Sequence, residues 1–200
     1  MSGLLKTQVQ LGDSATATQN FVLSSAAQDG TMKLSRGNYG ATTQDVMVVD
    51  ATGRVTFPVN TVSMVRLNTA NGYGTTNIKI RRFLNIVTNS GTDISYTDSA
   101  TLGSLFTINT NGIYSIHYDD QFDINAWVGI SLNTTTPTIQ VQNIASSELL
   151  TTASTAAASY GASCSTTVYL PAGSLIRAHT SGNGSGGNTW ACHFTIIRVA

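Results

Sequence analysis

The sequence predicts an all-β chain that ends in a jelly-roll β-sandwich, and three observations predict it. Apolar residues recur at every second position in run after run, the period of a strand that buries one face. Turn residues separate the runs, among them Asp29-Gly30, Thr52-Gly53, Asn111-Gly112 and Pro171-Ala172-Gly173, which supply the backbone geometry that reverses a strand. The last run, Trp190–Val199, is apolar on both faces, as a strand central to its assembly must be. About eight such strands in about 125 C-terminal residues fit a two-sheet jelly roll.

The clearest strands lie between Leu105 and Asn133. Phe106 and Ile108 alternate with Thr107 and Asn109. After the Asn111-Gly112 turn, Tyr114, Ile116 and Tyr118 alternate with Ser115, His117 and Asp119. Ala126, Val128, Ile130 and Leu132 then alternate with Trp127, Gly129 and Ser131. Further on, Ile139, Val141 and Ile144 suggest a strand. The Ser/Thr/Ala-rich stretch 145–162 reads as a loop and strand, because its Thr and Ser content weakens a helix. Residues 163–170 and 175–179 supply two more strands, and 180–188 a Gly/Ser loop.

Upstream the apolar material is thinner. Residues 1–27 carry scattered apolar points and read as an extended attachment arm. Residues 28–74 read as small hairpins: Met32 and Leu34, then Val46, Val48 and Val49, then Val55 and Phe57. Isolated hairpins are marginal in water, so these need partners, and copies of the same chain around an axis are the natural ones. The terminal head is expected over residues 75–200, its boundary falling near Asn60–Thr76.

Composition narrows the function classes. Charged residues make up 10% of the 200 residues, and Lys plus Arg equals Asp plus Glu. No basic stripe is present, which argues against nucleic-acid binding. A surface of hydroxyls and amides suits close contact between identical subunits, where like charges would repel. No apolar run approaches the roughly 20 residues that cross a bilayer, so membrane insertion is not expected. The N-terminus lacks the pattern of a signal peptide, and a cytoplasmic start is expected. Cys164 and Cys192 make no disulfide framework; two buried thiols are the plainer reading, a cross-strand pair the other.

Candidate functional residues are few. Asp119, Asp120 and Asp123 are the clustered carboxylates. They could give oxygens to Ca²⁺ or form a glycosidase pair, and a solvated turn between strands ranks ahead of both. His117, His179 and His193 lack metal-ligand spacing; His117 and His193 fall opposite the main apolar face. Arg81-Arg82 reads as an intersubunit ion pair. Trp127 and Trp190 lie in strands and suit core or subunit packing, whereas Tyr96 and Tyr160 fall in loop-like stretches and suit surface contact with a sugar face. No nucleophile–base arrangement and no phosphate cradle is visible. No catalytic residue, metal ligand or cofactor is therefore assigned, and Tyr96, Tyr160, Asp119, Asp120 and Asp123 stand as the surface-contact candidates.

Two resemblances add to this. The run DGTMKLSRGNYGATTQDVMVVDATGRVTFP, residues 29–58, resembles a segment of tail-fibre, collar and head-fibre proteins of tailed bacteriophages. It implies a virion structural protein, assembled in the host cytoplasm and joined to other virion proteins through its N-terminal part. FTINTNGIYSIHY, VYLPAGSLIRAHT and HFTIIRV are similar to strands of C1q/TNF-like heads, over roughly residues 75–200. Ser174 departs from that pattern, where Asp is frequent, and no calcium cluster accompanies it. The second resemblance implies a homotrimer packed through one sheet of each protomer. Together they imply a trimeric fibre-type protein that displays its head to a host-surface glycan or protein. A capsid decoration protein without a receptor, and a polysaccharide depolymerase, are the alternatives.

Overall fold

The computed structural model describes residues 8–16, 19–25, 30–57, 64–68, 79–122, 125–155, 161–181 and 192–199. The chain divides into two compact units, Met1–Thr61 and Val62–Ala200. Among the described residues there is no α-helix.

The first unit holds one five-stranded meander: β1 (Gln8–Leu11), β2 (Phe21–Ser24), β3 (Met32–Asn38), β4 (Ala41–Val49) and β5 (Val55–Thr56), each pairing antiparallel with the next. The expected arm and hairpins are thus one sheet, because β1 and β2 give the hairpins their cross-strand partners. Side-chain alternation sorts it into two unlike faces. One bears the row Val9–Leu23–Leu34–Met47, with Leu11–Phe21–Arg36 on one side of it and Met32–Val49–Val55 on the other. The opposite face carries Gln10, Val22 and Ser35 in one row and Lys33 in the next, where Lys33 Nζ pairs with Asp45 at 2.8 Å. The chain reverses after β3 at Tyr39-Gly40.

The second unit is a sandwich of two five-stranded antiparallel sheets. The first runs in the order β13 (Gly161–Leu170), β10 (Gly112–Gln121), β15 (His193–Arg198), β6 (Met64–Asn68), β7 (Asn85–Ser90). The second runs β12 (Leu149–Ser154), β11 (Trp127–Leu132), β14 (Leu175–Thr180), β9 (Leu105–Ile108), β8 (Ile94–Thr97). Consecutive strands β9, β10 and β11 alternate between the sheets, which is how a jelly roll winds. Strand β15 lies between β10 and β6, the central place its two apolar faces call for.

The core fills the space between the sheets. Tyr114, Ile116, Tyr118, Phe194 and Ile196 come from the first sheet and Phe106, Ile108, Val128, Ile130 and Ile176 from the second. Phe106 and Phe194 stack across the gap with ring centroids 4.3 Å apart, and Phe83 packs on both at 6.2 and 5.4 Å.

The second sheet is covered on its outer side as well. The stretch expected as a strand, Ile139–Ile144, instead contains a 3-10 turn at Val141–Asn143. Val141 is buried against Gly129 of β11, so close that a Cβ on Gly129 would stand 2.3 Å from Val141 Cγ2. Its apolar period serves this inward-facing turn instead of a sheet.

That cover buries His179 completely. His179 Nδ1–H donates to the Ile139 carbonyl at 2.9 Å, and its Nε2 accepts from the Ser131 hydroxyl at 2.8 Å, so the neutral ring is bound at both nitrogens. Burial pushes this imidazole down to about 4, and nearby Arg177 adds to the effect. An unfolded histidine titrates near 6.5. As pH falls from about 6.5 to about 4 the unfolded chain takes up a proton that the folded chain refuses, and stability drops through that window. The full loss is on the order of 3 kcal/mol. Urea melts at pH 7 and pH 4.5 should show it, and His179→Gln should show a smaller difference between the two.

Candidate functional site

Strand alternation gathers a broad, sparsely charged surface on the outward face of the first head sheet. Its rows run Tyr169–Ile113–Val199, then Thr167–Ser115–Ile197–Met64, then Ser165–His117–Thr195, then Ser163–Asp119–His193. One end is apolar: Tyr169 is 61%, Val199 53% and Ile113 39% exposed. The middle is hydroxyl-rich. The other end is polar and titratable.

At that polar end the sheet surface sinks into a depression of about 480 Å³, lined by Asp119, Gln121, Ser163 and His193 with the backbone around Asp120 and Gly161. Asp119 Oδ2 lies 2.8 Å from His117 Nε2. Carboxylate, amide, hydroxyl and imidazole therefore converge on one shallow surface, a set that hydrogen-bonds polar ligands.

The row Ser163–Asp119–His193 has the residue types of a hydrolytic triad in the wrong order. Asp119 sits on the middle strand, so Ser163 and His193 are two strand spacings apart, roughly 9.6 Å. A serine nucleophile needs its histidine within hydrogen-bond reach, and this row cannot provide it. Among the described residues no group of three or more His, Cys, Asp or Glu converges as metal ligands.

The neighbouring carboxylate has a different fate. Successive strand residues face opposite ways, so Asp120 points into the sandwich and is 2% exposed. The Arg81 guanidinium grips both its oxygens through Nε and Nη2, and the Tyr118 hydroxyl donates to Oδ2 at 2.7 Å. Arg81 also lies over the Phe122 ring, 5.4 Å from its centroid. It follows Ile80, which bridges to His179 of β14, so the pair ties the two sheets together at one end. This corrects two expectations: Asp120 is no surface contact, and Arg81 pairs within its own chain. Arg82 likewise pairs within the chain, with Asp98. Asp119 and Asp120, facing opposite sides of one sheet, cannot act together as a glycosidase pair.

Tyr96 is also corrected. It lies in β8, its ring packs on Phe106 at 5.0 Å, and its hydroxyl donates to the Phe83 carbonyl at 2.5 Å. Both ends of the side chain are thus committed to the head. Trp127, expected in a packed position, is 45% exposed at the start of β11. Asp123, Tyr160 and Trp190 lie outside the described residues.

The fold can now be compared with solved structures. Murine APRIL crystallised at pH 8.0 superposes with a TM-score of 0.53 at 12% identity, covering 69% of this chain and 99% of that one. Murine APRIL at pH 8.5 gives 0.51 at 13% identity, with the same coverage. The head is a jelly roll of the TNF kind. An Eiger TNF structure from S. frugiperda also superposes, with a TM-score of 0.46 at 10% identity, covering 70% of this chain and 92% of that one. The sequence matches no protein-family model and no curated protein.

The order β13-β10-β15 explains the state of the two cysteines. Cys164 lies beside Tyr118 on one flank of β10, and Cys192 precedes His193 on the other. They are again about two strand spacings apart, beyond the reach of a disulfide, and both thiols are free and buried. Burial pushes the Cys164 thiol up to about 12, and that of Cys192 well above its usual range. The native chain should therefore resist a thiol reagent such as DTNB, and two equivalents should react after denaturation; fast reaction of the native chain would contradict this burial.

Proposed function

We propose that this chain is a bacteriophage virion structural protein of the fibre type. It holds to the particle through its N-terminal part and displays a homotrimeric jelly-roll head for adhesion to the host surface. The observation that carries the reading is the pairing, in one chain, of the fibre-like segment 29–58 with a head of the TNF kind.

Physical features support it. The outward face of the β13-β10-β15-β6 side of the head offers apolar residues at one end and hydroxyls in the middle, without a lysine or a run of like charge among its described side chains. Identical faces of this kind can meet without repulsion. Three copies of a weak contact such as the Asp119–His193 depression would bind a cell surface more firmly than one, because tethered sites raise effective concentration.

Gold-labelled antibody against the head, imaged on phage particles by electron microscopy, tests the assignment. Label on fibres or tail structures, together with binding of the purified full-length protein to host cells, is expected. Label confined to the capsid shell without cell binding would replace adhesion with decoration. Particles free of the protein would remove the reading altogether.

A further inference from the structure

The N-terminal sheet shelters the wrong face for a lone chain. Its more polar side is the better covered, at Val22 (0% exposed), Ser35 (1%) and Ser24 (7%), while the Lys33 side chain there stays 44% exposed. Its apolar side is open, with Val9 at 48%, Leu11 at 53% and Val55 at 49%. A sheet that supplied its own core would do the reverse.

We infer that this apolar face is a homotypic interface, packed against the same face of other copies of the chain. The inference rests on the trimer reading above and adds which surface of the first unit is used. Three observations select copies of the chain as the occupant. Among the described residues the face carries no charged side chain except Arg36 in a flanking row, where its guanidinium lies 5.9 Å from the Phe21 ring centroid, so identical faces meet with little repulsion. The sheet ends on β5, a strand of two residues, so pairing along that edge offers little and the face is the larger free surface. The area also fits. Five strands about 4.8 Å apart, bearing three rows of side chains about 7 Å apart, present roughly 400 Å². That lies within the roughly 300–600 Å² of a typical monomer's largest patch, often a functional one, and is about half of one partner's share in a stable interface, so the head must supply the rest. The apolar end of the head face, at Tyr169, Ile113 and Val199, offers each copy a second surface of similar character.

Neighbouring residues on β3 provide the test. Leu34 points to the apolar face and Lys33 to the polar one. Leu34→Cys and Lys33→Cys are made in the full-length chain, whose own two thiols are buried, and Leu23→Cys serves as a second probe in the same row. Circular dichroism confirms folding and sedimentation gives the mass. The expected result is a trimer in which the Leu34→Cys and Leu23→Cys variants react with a bulky maleimide on the order of tenfold or more slower than Lys33→Cys, since their thiols are reached only when the interface opens. A short bismaleimide should also link chains of either apolar-face variant into covalent dimers. A trimer in which Leu34→Cys and Leu23→Cys react as fast as Lys33→Cys overturns the interface and leaves the trimer standing. Slow reaction without cross-linking assigns the face to another occupant and overturns homotypic packing. A monomeric mass removes the trimer reading itself.

Discussion

Replacing Asp120 with alanine is expected to destabilise the head by about 3–5 kcal/mol. The aspartate and Arg81 are both buried to within 2% of full enclosure. Removing one partner leaves a guanidinium without its counter-charge in a place water does not reach, and it also removes the acceptor of the Tyr118 hydroxyl. A domain has only about 5–15 kcal/mol in hand, so the variant should be partly unfolded at 37 °C. The companion experiment isolates the cause. The double variant Arg81→Met, Asp120→Leu removes both charges and should recover most of the loss, because apolar residues of similar volume often replace a buried pair at little cost. Recovery should stay incomplete, since Tyr118 still lacks an acceptor. Chemical denaturation of the wild type, both single variants and the double variant measures the coupling. If the alanine variant lost less than about 1 kcal/mol, the pair would not be the clamp described.

Phe194→Ala should cost a similar amount, about 3–5 kcal/mol. Phe194 is fully buried on the central strand β15 and stacks on Phe106 of the opposite sheet. It also touches Phe83 and Tyr118, at 5.4 and 6.0 Å between centroids. Its loss opens a cavity where both sheets and the incoming segment at Phe83 meet, a site with little freedom to collapse. Phe194→Leu keeps most of the volume and should lose much less. A thermal melt distinguishes them: the alanine variant should fall by roughly 10 °C or more, using the usual few degrees per kcal/mol for a domain of this size. Equal melting of the two variants would mean that restored volume recovers nothing, which would contradict the cavity argument.

The strands at Leu105–Ile108, Gly112–Gln121 and Trp127–Leu132 were legible because period-two alternation there coincides with burial on one face. Their assignment to alternating sheets was not, since alternation fixes a strand's faces and says nothing of its neighbours. The inward turn at Val141 imitates a strand in sequence; only its seat over Gly129 separates the two. Asp120 carries a usable signal. It shares parity with Tyr114, Ile116 and Tyr118, which places it on the core side and calls for a buried cation. Arg81 is 39 residues away, so the partner could not be named. The depression shows the same limit: Asp119 stood out as one of the clustered carboxylates, but its union with Ser163 and His193 depends on strand register across distant segments. In the first unit each apolar run was visible, yet their gathering on a single open face emerges only once β1 to β5 are aligned.

Self-assembly is the claim on which the functional reading turns, and the mass of the full-length protein in solution tests it most directly. Sedimentation at micromolar concentration and moderate salt should give three times the 21.0 kDa chain, persisting on dilution. A folded, stable species at the mass of one chain, with its apolar faces bare, would contradict it.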